Sequence, residues 1–143
     1  MRCPGRQLVS TAIKAEVEEA IGEIRASFAS NKVDVEADDQ GGAFVRVHEV
    51  PIGAGFVPNV SWIGFQITFQ YPFADVYPHF LRSDLARANG QPLTKPLNPG
   101  STFALPSGAI SAVLLSRASR SRDPVTDTAA VKLAKVIDWL RAQ

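Results

Sequence analysis

The chain carries a single cysteine, Cys3, and only two histidines, His48 and His79. One thiol can close no intramolecular disulfide and build no thiolate metal cluster, so stability has to come from packing, and a reducing cytoplasm suits that usage. Two histidines without a carboxylate pattern around them make no metal motif, and no Gly-x-Gly-x-x-Gly or Walker-type run occurs, so no metal, nucleotide or other cofactor is expected. An excess of one charge is lacking as well. Lys and Arg number 15 against 14 Asp and Glu, a formal net charge of +1, which leaves no global field to gather nucleic acid or an anionic membrane. No stretch approaches the roughly 20 apolar residues that span a bilayer, and Met1 to Gln7 lack the apolar run of a secretory signal. A soluble, unexported, cytoplasmic protein is the expectation.

What is present reads as an ordinary folded domain. With 143 residues, 45% of them hydrophobic and 20% charged, the chain is long enough to bury roughly two thirds of its unfolded surface in one domain over residues 1–143. Residues 1–9 read as a flexible lead-in. From Ser10 to about Phe28, Ile13, Val17, Ile21, Ile24 and Phe28 recur at steps of three and four, the stripe of an amphipathic helix that Ser10 or Thr11 can cap. Lys14, Glu18 and Arg25 fall off that stripe and face water.

The period then shortens to two. Val33 and Val35 alternate with polar neighbours, Asp38 to Gly42 has turn chemistry, and Ala43 to Val50 returns as a second strand. After a loop from Pro51 to Asn59, the β-branched and aromatic run from Trp62 to Phe69 forms a third strand. Between Tyr71 and Ser107 stand prolines 72, 78, 92, 96, 99 and 106, each denying the backbone a donor, which leaves room only for a short strand at His79 to Leu81. Ala109 to Leu115 is brief and apolar, Ser116 to Asp123 polar and basic. Pro124 then precedes a final helix from about Thr126 or Asp127 to Gln143, with Ala130, Leu133, Ala134, Ile137 and Leu140 on one face.

Three segments together resemble the ubiquitin-conjugating (UBC-like) enzymes. Phe65 to Phe69 followed by Tyr71-Pro72-Phe73 is similar to that family's third strand and YPF flap. Gly108-Ala109-Ile110-Ser111-Ala112-Val113-Leu114-Leu115 is similar to its G-x-I-C-L-x-I-L segment, with Ser111 in the place of the cysteine. Pro124 and its helix resemble the WSPA-type entry to the family's second helix. Divergent bacterial members are the nearest in kind. The resemblance implies an α+β fold: an N-terminal helix, an antiparallel four-stranded meander, a Pro-rich flap and active-site loop, and a C-terminal helix. The departures are the missing cysteine, the missing tryptophan before the last helix, Val76 where a proline is expected, and Asn98-Pro99 as the only relic of a His-Pro-Asn motif.

The resemblance implies a conjugating component of a bacterial ubiquitin-like modification pathway, working with a ubiquitin-activating-type enzyme and a ubiquitin-like modifier. Ser111 is then an acyl acceptor that holds the modifier as an oxyester; its other reading is a small hydroxyl satisfied by a backbone carbonyl. Asn98 either steadies an oxyanion or shapes a turn. Of the two histidines that could serve as an imidazole base, His79 is favoured over His48; its other reading is a side chain packed and hydrogen-bonded among Tyr77, Pro78 and Phe80. Lys14, Glu18 and Arg25 mark the helix face with which the family meets its activating enzyme. Arg117 and Arg120 form either a basic rim for an acidic partner or a solvated loop. The rival for the whole chain is an inactive UBC or RWD-like module that scaffolds the activating enzyme or the modifier.

Overall fold

The computed structural model describes residues 12–143. Its elements in chain order are α1 (Ala15–Ser27), β1 (Val33–Ala37), β2 (Ala43–Pro51), β3 (Phe56–Val57), β4 (Val60–Ile67), β5 (His79–Arg82), β6 (Ala86–Arg87), β7 (Leu97–Leu105), β8 (Gly108–Leu115) and α2 (Ala129–Arg141). The fold is α+β: β1, β2, β4 and β5 run as an antiparallel meander, and a β7–β8 hairpin extends it to six strands in the order β1-β2-β4-β5-β8-β7. β3 and β6 pair separately at one end.

Both helices cover one face of that sheet. Val17, Ile21 and Ile24 of α1 and Leu133, Ile137 and Leu140 of α2 join Val45, Val47, Ile63, Phe65, Leu81, Val113 and Leu115 in one buried cluster. The alternation in β2 and β4 dictates this, because every second residue of a strand points to the same side. α1 is shorter than its stripe suggests, beginning at an N-cap, Lys14, whose side chain makes no cap bond; Ser10 and Thr11 lie outside the described residues. α2 begins later than expected, at Thr128, whose hydroxyl accepts from the Val131 N–H at 3.3 Å. Its buried face also turns slightly, taking in Lys132 and Val136 and leaving Ala134 exposed.

The proline-rich stretch corrects the expectation of a four-stranded sheet with one short strand after Tyr71. Leu97–Leu105 is a nine-residue strand despite Pro99, because β7 is an edge strand and the register shifts between Asn98 and Ser101. A proline at a bulge on an edge removes no ladder bond, and Gly100 supplies the φ of +76° that the bulge needs.

β8 pairs with β5 only from Ala112 to Leu115. Beyond Ala112 the hairpin leaves the plane and folds across the sheet face that the helices do not cover. Phe103 of β7 stacks on Phe80 of β5 at 4.7 Å and Trp62 of β4 at 5.9 Å, and meets Phe44 of β2 edge-on at 6.0 Å. At the hairpin tip, the Ser107 N–H and hydroxyl donate to the Glu36 carboxylate of β1 at 2.9 and 2.7 Å. The tip has therefore crossed the whole meander. Phe103 is 1% exposed and forms a second, smaller apolar layer apart from the helical core.

The seat for that ring is Gly64. A Cβ there would stand 2.5 Å from Cε2 of Phe103, closer than any packed atom tolerates. Gly64→Ala is expected to lower stability by about 1 to 3 kcal/mol, as overpacked sites do. Phe103→Leu in the Gly64→Ala background should recover part of that loss; urea unfolding of the four proteins in the cycle measures it.

Candidate functional site

Strand alternation decides where the Ser111 side chain goes. Val113 and Leu115 point to the helical core, Ala112 and Ile110 to the side of Phe103, and Ser111 returns to the side of Val113. By then the strand has curled away from the sheet, so Ser111 stands exposed on the convex side of the hairpin, opposite Thr102. The hydroxyl faces solvent, not the hydrophobic interior.

On the flank away from β7, residues 108–111 of β8 have no ladder partner, since pairing with β5 stops at Ala112. That free edge borders a groove of about 550 Å³, walled by Arg46, His48 and Glu49 of β2, Trp62 of β4, and Arg82 with Asp84 after β5. β2 bulges here. The register shifts between Val47 and Val50, Glu49 takes a φ of +55°, and the Asn31 amide donates to the carbonyls of His48 at 2.8 Å and Glu49 at 3.3 Å. A non-glycine residue in the left-handed region is held there by its surroundings.

The groove carries charge in a defined order. His48 Nε2 lies 2.7 Å from an Asp34 carboxylate oxygen, and that hydrogen bond holds Asp34 below the ordinary carboxylate range against a small opposing effect of burial. In a neutral ring whose Nε2 donates to Asp34, Nδ1 is the acceptor. The Arg46 guanidinium lies 5.2 Å over the Trp62 ring, and its Nε is buried without a hydrogen-bond partner among the described residues. Arg82 forks onto Asp84, with the second of its bonds at 3.0 Å.

Neither sequence-chosen helper of Ser111 reaches it. His79 pairs across the ladder with Leu115, four residues from Ser111, roughly 13 Å at about 3.3 Å per residue. Its ring is 1% exposed, with Nε2 unpartnered, and burial first, then the nearby Lys132 charge, push its pKa down to about 3. Asn98 pairs with Leu114 and donates its amide to the Pro96 carbonyl at 3.2 Å, the turn-shaping role. The ring is packed against Phe65 at 5.2 Å, whereas the hydrogen bond that its other reading expects is absent at Nε2 among the described residues.

A second polar cluster lies behind that histidine. Asp75 accepts from the Ser119 N–H at 2.7 Å, from Lys132 at 3.1 Å and faces Arg122 at 3.6 Å. Burial alone raises its pKa, but the Ser119 N–H and then Lys132 outweigh that, and its carboxyl sits below the usual range. Lys132 also donates to the Arg117 carbonyl and the Ser119 hydroxyl, both at 2.8 Å. Four acceptor atoms around one ammonium make it a strut that ties residues 117–119 to α2, and the Ser119 hydroxyl donates in turn to Asp75 at 3.1 Å. The flap is tied to the same helix by Tyr71, whose hydroxyl accepts from the Ala129 N–H at 3.0 Å. Burial raises the Tyr71 pKa and keeps that hydroxyl neutral.

The remaining chosen residues are on the surface. Lys14 donates to the Phe69 carbonyl at 2.8 Å and Arg25 to the Val33 carbonyl at 3.3 Å, while Glu18 is exposed beside them. Arg117 lies 5.0 Å over the Trp139 ring, and Arg120 is exposed. What the sequence did not single out is Arg46 and the groove itself: Arg46 alternates on one face of β2 with His48, the less favoured of the two histidines, and only the folding-over of a distant hairpin brings Ser111 to the same groove. Among the described residues no three His, Cys, Asp or Glu side chains gather as a metal site, and no helix is long and apolar enough to cross a membrane. No protein-family model, curated protein or solved structure matches the chain.

The buried histidine sets a pH dependence. Below its unfolded pKa of 6.5 the unfolded chain binds a proton that the folded chain refuses until about pH 3. Stability is therefore full above pH 6.5 and falls through that window as acid is added, by up to about 1.4 kcal/mol per pH unit from this one group. His79→Leu should flatten the limb. Urea midpoints at about pH 7 and about pH 4.5 for both proteins check it, and equal losses in the two would assign the limb to other groups.

Proposed function

We propose that this chain is a UBC-like conjugating protein of a bacterial ubiquitin-like pathway, acting in the cytoplasm, which receives the modifier's carboxyl terminus from an activating enzyme and holds it as an oxyester on Ser111. The observation that carries the reading is the exposed hydroxyl of Ser111 beside an unpaired strand edge and a groove. The order helix, meander, hairpin, helix is compatible with that family's arrangement.

The chemistry needs three things of the site. An extended carboxyl-terminal tail has to be held, and the free edge of residues 108–111 offers backbone groups to which an extended chain can add. The acyl carbon arrives activated, as an adenylate or thioester on the activating enzyme. The Ser111 oxygen attacks it, the serine proton leaves to a base, and the adenylate or thiol departs. A serine is a weak nucleophile at neutral pH, so a proton acceptor matters more than it does for cysteine. The imidazole bordering this groove is that of His48, held by Asp34 on the face opposite to the Ser111 side chain, so its part is that of a proton acceptor reached across the rim of the groove and not in direct contact. It takes the place first given to His79. An incoming amine then attacks the ester and returns Ser111 to its hydroxyl.

A second reading is favoured by the separation of Asn98 and His79 from Ser111: a binding module of the same fold that scaffolds the activating enzyme or the modifier without carrying an acyl group.

Incubation with the cognate activating enzyme, modifier and ATP separates the two. A covalent adduct cleaved by hydroxide but stable to mild thiols is expected for the native chain, none for Ser111→Ala, and a thiol-labile one for Ser111→Cys. An adduct unchanged in Ser111→Ala overturns the assignment of the acceptor. Stable binding to either partner with no adduct, even from Ser111→Cys, leaves the scaffold reading.

A further inference from the structure

A second groove, of about 820 Å³, opens between the turn at 95–96, the loop 116–120 and α2, distant in the ladder from Ser111. We infer that it is the docking site for an acidic, extended segment of a partner protein. The inference stands whether or not Ser111 carries an acyl group.

Charge is the first argument. Five of the residues lining the groove are Lys or Arg, and one is acidic, Asp127. Two of the cations are already neutralised, Lys132 by Asp75 and Lys135 by Asp127, each at 3.1 Å. Lys95, Arg117 and Arg120 have no carboxylate partner among the described residues, although each borders the same cleft. The whole chain is only +1, so three uncompensated cations here require the remainder to sum to −2. The positive charge is concentrated where the chain is concave, and concave, low-dielectric walls strengthen its field.

Preorganisation is the second. The 116–120 wall is no loose loop: Asp75 and Lys132 grip Ser119 and the Arg117 carbonyl through the buried network behind it. Arg117 rests its guanidinium on Trp139 and so holds its charge at the groove without an anion. A ligand meets side chains already placed, and loses less on ordering them.

Shape and lining choose the ligand class. The free cations come from two separate segments, the turn at 95–96 and the loop 116–120, along a cleft of about 820 Å³, which has room for a row of carboxylates. Pro96, Ala118 and Val136 give the cleft apolar contacts between the charges, matching the methylene stems of Glu or small apolar side chains. No aromatic residue lines it, so there is no platform on which nucleic-acid bases can stack.

A synthetic peptide of alternating Glu and Ala is the probe, with the Gln-Ala peptide and a single-stranded oligonucleotide as controls. Backbone amide shifts of the native protein are expected to change at Lys95, Ser116 to Arg120 and the start of α2, and to fade as salt is raised. Trp139 fluorescence in a Trp62→Phe background gives a second readout, because a carboxylate bound to the Arg117 guanidinium alters the charge over the indole. Lys95→Glu together with Arg120→Glu, both exposed, should weaken binding by about tenfold with an unchanged urea midpoint. Shifts confined to another surface, equal binding of the Gln-Ala peptide, or tighter binding of the oligonucleotide would each overturn the inference. Failure here leaves the Ser111 adduct assay unaffected, and the reverse, so the two readings fall separately.

Discussion

The contact on which the arrangement of this molecule depends is that of Phe103 with Gly64. It is what turns a hairpin at the sheet edge into a cover for the sheet. Without a side chain at position 64 the ring of Phe103 lies against the strand and among Phe44, Trp62 and Phe80. That insertion lifts β8 off β5 after Ala112 and draws the tip to Glu36. Two properties of the candidate site follow directly: Ser111 ends on a convex surface, and the strand edge beside it loses its partner. The groove with Arg46 and His48 is the space left beneath the arch.

The opposite face is organised by a different kind of interaction. Asp75 and Lys132 are a nearly buried ion pair, with side chains 22% and 7% exposed. Such a pair contributes little by its charge attraction alone, because both groups give up water to form it. Its effect here is geometric. It fixes the basic loop to α2, while Tyr71 fixes the flap to the first turn of the same helix. The flap, the loop and the helix are thereby tied to one another, and together they back the basic groove.

Much of this was legible in the sequence because it obeys short-range periodicity. The three- and four-residue steps of Val17, Ile21 and Ile24 gave α1 its buried face, and alternation gave β2 and β4 theirs. The turn at 38–42 and the short strand at His79 were equally plain, since turn chemistry and apolar runs are local. β7 was hidden by its prolines: the rule that proline ends a strand holds for central strands, and whether a strand is central is a tertiary fact. Lys132 was hidden for the same reason. A lysine on an apolar helix face reads as an interruption until Asp75, 57 residues earlier, is seen beside it. For the site, the Gly108 to Ser111 frame contains an exposed serine, but proximity in sequence to the flap does not show which histidine borders the groove. His79 is adjacent to the flap and turns into the core, whereas His48 arrives from β2, 63 positions before Ser111.

The arch also governs how the protein behaves in a crowd of its own copies. A strand with bare amides and carbonyls is a template on which another molecule can extend the sheet. Besides the outer edges of β1 and β7, the sheet leaves the four residues 108–111 of β8 bare, bent out of plane and flanked by the Arg82 and Asp84 charges. A flat neighbouring sheet finds no straight register to continue, while a single flexible tail can still follow the bend. One curved segment thus favours a strand over a sheet as the partner at this edge.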